Sequence, residues 1–194
     1  MFSQPVLDWL YMVVGIDEVG RGCWAGPLVA GAVLLRAPIP GLKDSKKLTK
    51  LAREKLDAVI RVEAVAYGIG WVTPAEIDQL GLTKAVGLAM HRAMSEITEP
   101  FDEVIIDGNI NYFPELASAR ALVAADNLIP EVSAASIIAK VARDKFMAEQ
   151  HSRFPGYGFN KHVGYGTLAH RTALKELGLC ALHRRSFKPI QLFA

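Results

Sequence analysis

The sequence predicts an α/β domain with a mixed central sheet flanked by helices and a helical C-terminal extension. Three observations predict it: β-type runs dominate the first third, helices and strands then mix, and the tail reads as helix and Gly-rich loop. The chain has 194 residues, 51% hydrophobic and 22% charged, which suits a packed core and excludes a disordered chain. The pattern divides it into a core over residues 1–150 and an extension over residues 151–194 packed on that core. Strand order stays open at this level.

Met12 to Ile16 is a short β-rich run ending in Asp17-Glu18-Val19-Gly20. Leu28 to Leu35 is a second, and the Gly-rich connection between them makes the two adjacent strands. Thr49 to Val62 has helical spacing, with Leu51, Leu56, Val59 and Ile60 apolar among charges. Ala64 to Val72 reads as a third strand. Thr73-Pro74-Ala75-Glu76 is a capping box with Pro at the first helical position, Gly81 ends that helix, and Thr83 to Ile97 forms the next. Phe101 to Ile106 is a buried-type strand ending at Asp107-Gly108, and Ala121 to Ala125 is a short apolar run ending at Asp126. A long helix covers about residues 132–150, apolar through Ile137, Ile138, Val141 and Phe146. A Gly/Tyr-rich loop spans Pro155 to Gly166, and Thr167 to Leu177 is a helix capped at Gly178.

The acids carry the chemistry. Asp17, Asp107 and Asp126 each directly follow an apolar β-type run, and strand ends in such a sheet converge on the rim where sites are built. Clustered carboxylates repel one another, so they persist with cations between them, and oxygen-only ligands suit Mg²⁺ or Mn²⁺. Two such ions about 4 Å apart serve in-line attack on a phosphodiester, one activating water and one holding the leaving oxygen. Taken singly, Asp107-Gly108 and Asp126-Asn127 read equally well as a turn or a cap. Asp17 and Glu18 face opposite ways on a regular strand, so both reach one site only if the strand ends or bulges there, or if the longer Glu18 arrives from the rim. Gly20-Arg21-Gly22 adds a loop whose glycines let backbone N–H groups approach a phosphate or hydroxyl oxygen. Asp44-Ser45-Lys46-Lys47-Leu48 is a basic cluster before a helix.

Together these residues resemble the type 2 ribonuclease H (RNase HII) family. The opening Gly15-Ile16-Asp17-Glu18-Val19-Gly20-Arg21-Gly22, with Ala25-Gly26-Pro27, carries the resemblance first. It continues in order through Asp44 to Leu48, Ile106-Asp107-Gly108, Ala134 to Asp144, Gly164-Tyr165-Gly166-Thr167 and His183-Arg184-Arg185-Ser186-Phe187. The resemblance implies an RNase H-like fold. It implies a metal-dependent endonuclease that cuts the RNA strand of RNA–DNA hybrids, and the 5′ side of single ribonucleotides embedded in duplex DNA, leaving 3′-hydroxyl and 5′-phosphate ends. It implies Asp17, Glu18, Asp107 and Asp126 as catalytic and metal-binding residues for a pair of Mg²⁺ or Mn²⁺ ions. It places the loop that reads the ribose 2′-hydroxyl on Gly20, Arg21 and Gly22, and the tyrosine that packs on the sugar after the ribonucleotide on Tyr165, with Tyr157 the competitor. The 2′-hydroxyl is what distinguishes RNA from DNA locally. Lys47 and Lys140 complete the expected substrate contacts. The chain departs from the family pattern at Ala124-Ala125 (usually Lys-Gly), at Val163 (usually Lys) and at Cys23-Trp24 (usually Pro-Leu).

Charge fits a polyanion partner. Residues 1–130 carry 12 Lys and Arg against 16 Asp and Glu, whereas residues 131–194 carry 10 against 4, with four of the five histidines. On the long helix, Lys140 and Arg143 read as cations facing DNA phosphate near a helix start with Ser133 and Ser136. The plainer reading is a Lys140–Asp144 pair at i,i+4. The histidines lack i,i+4 ligand spacing, which disfavours zinc, and Cys23 and Cys180 form no disulfide framework. Trp9, Trp24 and Trp71 are expected to pack, as is the tail Gln191-Leu192-Phe193, for which a sliding-clamp peptide is the other reading. No apolar run nears the roughly 18 residues of a membrane span, and no Lys or Arg precedes Arg21 as a signal peptide would need. The expectation is a cytoplasmic monomer acting in ribonucleotide excision repair and DNA replication. The rivals are a type 3 ribonuclease H, which shares the acidic pair but lacks the Gly-Arg-Gly loop, and a non-catalytic hybrid-binding module.

Overall fold

The computed structural model describes residues 11–43 and 45–193, so Trp9 and Asp44 lie outside the described residues. Five strands form one sheet in the order β3-β2-β1-β4-β5: β1 (Val13–Val19), β2 (Leu28–Leu34), β3 (Ala66–Val72), β4 (Glu103–Asp107) and β5 (Ala119–Leu122). β1 runs antiparallel to β2 and parallel to β4, and β5 is parallel to β4, so the sheet is mixed as the sequence predicts. α1 (Lys50–Glu63) starts at Thr49, whose side chain accepts the Ala52 N–H. α2 (Pro74–Leu80) starts at the capping box of Thr73 and Glu76. α3 (Leu82–Met94) covers one face of the sheet, and α4 (Pro130–Arg153) covers the other.

The alternation of side chains sorts the core by face. Val14, Ile16, Leu28, Ala30, Ala32, Val104 and Ile106 pack with Ala85, Val86 and Ala89 of α3. Val33 packs with Ala134, Ile137 and Ile138 of α4. Glycines let both helices come close. A Cβ on Gly15 would stand 2.2 Å from backbone atoms of Glu131 and Val132 on α4, and one on Gly70 would stand 1.9 Å from the Ala89 carbonyl on α3. β1 is thereby pressed against the first turns of α4, which fixes what its later residues meet.

Three short helices follow: α5 (Phe159–His162), α6 (Leu168–Leu177) and α7 (Lys188–Gln191). They gather Tyr157, Phe159, Leu174 and Ile190 around Ala25 and around Met147 of α4. An isolated antiparallel bridge joins Ala25 to His183. The second half of α4 therefore belongs to the core of the extension as much as to the sheet. Among the described residues, no helix is long and apolar enough to cross a membrane.

Candidate active site

Asp17 and Asp107 come together through register. β1 and β4 are parallel, with Ile16 opposite Ile106, so Asp17 and Asp107 are the next residues on neighbouring strands and share a face at their C-terminal ends. That face is the α4 side, because Gly15, two residues before Asp17, abuts α4. Asp17 is buried at 5% exposure. Burial, then the charges of Glu18 and Asp107, push its carboxyl up to about 8, against hydrogen bonds from Ser136 and the Glu18 N–H. The latter bond is 2.7 Å. Glu18 leaves the strand on the other face and lies 3.6 Å from Arg21. Burial raises its pKa and Asp107 adds to that, while Arg21 opposes it.

Asp126 arrives by a different route than the sequence predicts. β5 ends at Leu122, and Asp126 stands on a 3₁₀ turn, Ala125–Asn127, entered through Ala124 in the left-handed region at φ 58°. So Asp107 closes β4, Asp17 and Glu18 lie side by side within the last three residues of β1, and Asp126 sits on a turn. Asp107 accepts the Ala125 N–H at 2.8 Å, which ties that turn to β4. Ser133 of α4 donates to the Asp126 carbonyl at 2.6 Å, and Asn127 Nδ2 donates to Asp126 Oδ1 at 2.7 Å.

A second 3₁₀ turn, Ser45–Lys47, docks on the first. Ser45 and Ser136 hydroxyls meet at 3.0 Å, Lys46 lies 4.0 Å from Asp126, and Lys47 donates to Asn127 Oδ1. Lys47 therefore stands at the acid cluster. The serines of α4 face the acids, not an approaching phosphate. Their spacing at i,i+3 among small apolar residues was the available signal, and the sequence reading missed it.

A further correction concerns arginine. Arg143 does not face solvent. It is fully buried and donates to the carbonyls of Pro27, Val163 and Ala25 at 2.8, 2.8 and 3.1 Å. Arg184, equally buried, donates to those of Gly26 and Arg21 at 3.0 and 3.1 Å. The two guanidinium groups clamp the loop from Arg21 to Pro27, a role the sequence reading did not find. Gly20, at φ 88°, makes room for Arg143, whose Nε would stand 2.3 Å from an added Cβ. Gly22 has open space instead, and Arg21 is half-exposed beside Glu18.

Lys140 forms the i,i+4 pair with Asp144 at 2.8 Å, both largely covered. Asp144 lies within electrostatic reach of Tyr165. Tyr165 is 41% exposed, whereas Tyr157 is buried, stacked on Phe159 and bonded to the Gly178 carbonyl at 3.0 Å. Of the two tyrosines, Tyr165 alone is placed to meet a ligand. Trp24 packs near His170 and Phe193, and Trp71 near Phe146, as expected of packing tryptophans.

The donor set suits a hard divalent cation: all its candidate ligands are carboxylate oxygens, and burial first, then the neighbouring carboxylates, raise Asp17 in a way that a cation would relieve. Among the described residues, no three His, Cys, Asp or Glu side chains are already gathered around one ion position. Asp17, Asp107 and Asp126 each turn one oxygen onto a donor of the chain itself.

The family model for ribonuclease HII matches residues 14–190. A ribonuclease HII of Halorhodospira halophila is 51% identical over 181 residues, covering 92% of this chain and 93% of the relative. Among solved structures, the complex of PCNA with RNase HII from Archaeoglobus fulgidus matches with a TM-score of 0.79 at 28% identity, over 91% of this chain and 95% of that one. Bst-RNase HIII with Mn²⁺ shares the fold, with a TM-score of 0.70 at 19% identity, over 95% of this chain and 69% of that one.

Proposed function

The chain belongs to the ribonuclease HII family, endonucleases that hydrolyse RNA in RNA–DNA hybrids, and from that premise we propose that it cuts such hybrids and nicks the 5′ side of a single ribonucleotide in duplex DNA. The cut leaves 3′-hydroxyl and 5′-phosphate ends. The observation that carries this reading is the pairing of Asp17 with Asp107 on one face at the ends of parallel strands, with Asp17 pushed up to about 8 among like charges. Such a pair is costly to keep unless it has work to do.

Asp17 and Asp107 are the central ligands, with Glu18 and Asp126 at the edges. Bound there, a pair of Mg²⁺ or Mn²⁺ ions would supply Lewis acidity at the scissile phosphate and an acidic water to attack it. The chain's own residues do the rest. Ser136 and the Glu18 N–H orient Asp17. Ser133 and Asn127 fix the turn that carries Asp126. Gly22 and Arg21 present backbone and cation to the ribose 2′-hydroxyl, and Tyr165 packs on the following sugar. Lys47 and Lys140 contribute positive charge along the strand, Lys140 from a pair with Asp144 that a phosphate would have to displace.

Every residue named lies on one chain, so the reading needs no second copy. Phe193 is folded against Trp24, so a clamp contact through the tail forms no part of it. The activity belongs to removal of ribonucleotides from DNA during replication and repair in the cytoplasm. Asp17→Asn should abolish Mg²⁺- or Mn²⁺-dependent nicking of a duplex with one ribonucleotide, while circular dichroism stays that of the wild type. Near-normal nicking by the variant overturns the mechanism. Binding of the duplex by wild type with no metal-dependent nick would make the chain a binding module.

A further inference from the structure

Three imidazoles lie together in the extension. His162 and His170 stack with centroids 4.4 Å apart, and His170 and His183 lie 5.3 Å apart. All three are buried. Their partners settle where each proton sits. His183 Nδ1 has two contacts on Cys180, its N–H at 2.9 Å and its carbonyl at 3.3 Å, and the shorter one, made with a donor, places the proton of neutral His183 on Nε2. His170 Nδ1 faces the Tyr165 carbonyl at 2.9 Å, and a carbonyl can only accept, so His170 carries its proton on Nδ1. The two Nε2 atoms are 3.1 Å apart, and these assignments make one a donor and the other an acceptor. His162 donates from Nε2 to the Tyr157 carbonyl at 2.7 Å and accepts the Gly164 N–H on Nδ1 at 3.2 Å. With these protons all six ring nitrogens are matched by neutral rings. Burial agrees, lowering His170 and His183 to about 4.

The line of bonds has a direction. It starts at the Cys180 N–H, passes through His183 and His170, and ends on the carbonyl of Tyr165. Tyr165 is also held by its own N–H to the His162 carbonyl at 2.9 Å, and by the Thr167 N–H on its carbonyl at 2.8 Å. Gly164, just before it, accepts the N–H groups of Trp24 and Ala25 at 2.8 and 3.2 Å, and His183 bridges to Ala25. The exposed tyrosine is therefore fixed against the Gly-rich loop by backbone, with histidines behind it.

We propose that His183 and His170 are positioning residues for recognition of the sugar after the ribonucleotide, the Nδ1–H of His170 fixing the Tyr165 carbonyl and with it the pose of the Tyr165 ring. This rests on the reading of Tyr165 given above. In a junction duplex that sugar is deoxyribose, and in an all-RNA hybrid strand it is ribose, so the pose of the ring governs the preference between the two. Asn places its amide where His170 Nδ1 stands and keeps the donor to Tyr165. Gln places its amide where Nε2 stands and loses that donor.

The experiment measures kcat and KM on a single-ribonucleotide duplex and on an all-RNA hybrid for wild type, His170→Asn, His170→Gln and Tyr165→Ala, with melting temperatures for each. The ratio of kcat/KM between the two substrates on one preparation is unaffected by any unfolded fraction. His170→Gln should lower that ratio about fivefold, the size of one lost hydrogen bond, chiefly through KM on the single-ribonucleotide duplex. His170→Asn should stay within about twofold of wild type, although both variants disturb the same buried site. Tyr165→Ala should lower the ratio at least as much as His170→Gln. Equal ratios for His170→Asn and His170→Gln would overturn the relay and leave the histidines as filling. A Tyr165→Ala ratio equal to wild type would overturn the assignment of Tyr165 itself.

Discussion

At the ends of β1 and β4, Asp17 is buried beside Glu18 and Asp107, and its carboxyl is pushed up to about 8. In the extension, His170 and His183 are buried as deeply and pushed down to about 4. Both regions bury titratable groups, with opposite outcomes. The histidines satisfy every ring nitrogen and lose their charge, so their burial completes a hydrogen-bond network. The acids bring like charges together and keep oxygens that the chain only partly satisfies. The imidazoles of the extension are satisfied within the chain, whereas the acids of the rim are held together as like charges. A site that must close on cations is stabilised by what it binds, not by what it is.

The largest expected effect falls on the residue that joins the two regions. Arg143 spans from Pro27 and Ala25 to Val163, next to Gly164 and Tyr165. Arg143→Met keeps an unbranched stem and leaves three carbonyls without their guanidinium donor. It should cost about 3–5 kcal/mol, read as a shifted urea midpoint. A loss under about 1 kcal/mol would mean that the rim and the extension hold together without it.

The acid–imidazole contrast makes opposite pH slopes. With divalent ions chelated, Asp17 is protonated in the folded chain and ionised in the unfolded chain between its ordinary value near 4 and about 8. The folded state binds the extra proton there, so stability falls as pH rises through that window. The histidines do the reverse: between about 6.5 and 4 the unfolded chain binds the extra protons, so stability falls as pH falls. Above pH 6.5 only the acid arm titrates. Wild type should lose stability from pH 6.5 to 8, and Asp17→Asn should remove that loss. Below pH 6.5 Asp17→Asn should show the imidazole arm dominating the raised Glu18, with stability falling toward pH 4 by about 3 kcal/mol for each of the two histidines in a urea titration. A variant curve flat from pH 4 to 8 would place the histidines in contact with water.

How much of this was legible follows from range along the chain. Thr73 to Glu76, the helix at Thr49 and the glycine stop at Gly81 are local signals, and the structure keeps them. Asp17 and Asp107 were legible because an apolar run before an acid marks a strand end. Their adjacency was not, since it depends on a parallel pairing of strands about 90 residues apart. Asp126 looked like a third strand end because Val123, Ala124 and Ala125 extend the apolar run, but the chain turns at Ala124. Arg143 looked like a surface cation because charge usually marks solvent. Its partners are carbonyls on a loop over 100 residues away, which periodicity cannot show. The histidine relay was hidden for the same reason: His170 and His183 have no ligand spacing in sequence.

The smallest expected effect tests whether the turn carrying Asp126 is strained. Ala124 and Val163 are the non-glycine residues with positive φ among the described residues, at 58° and 45°. They are also two of the positions where the chain departs from the family pattern. One precedes the turn of Asp126 and the other precedes Gly164 and Tyr165, so each region is entered through a residue in a conformation that L side chains disfavour. Val163 is partly buried against the extension's core, so changing it would mix strain with packing. Ala124 is exposed and loses no packing on truncation. Ala124→Gly should raise stability by about 0.5 kcal/mol, the relief of the left-handed backbone less the added freedom of the unfolded chain. It should also leave nicking unchanged, because Asp107 and Ser133 still hold the turn. A loss of nicking with unchanged stability would show instead that the methyl group of Ala124 helps to aim Asp126.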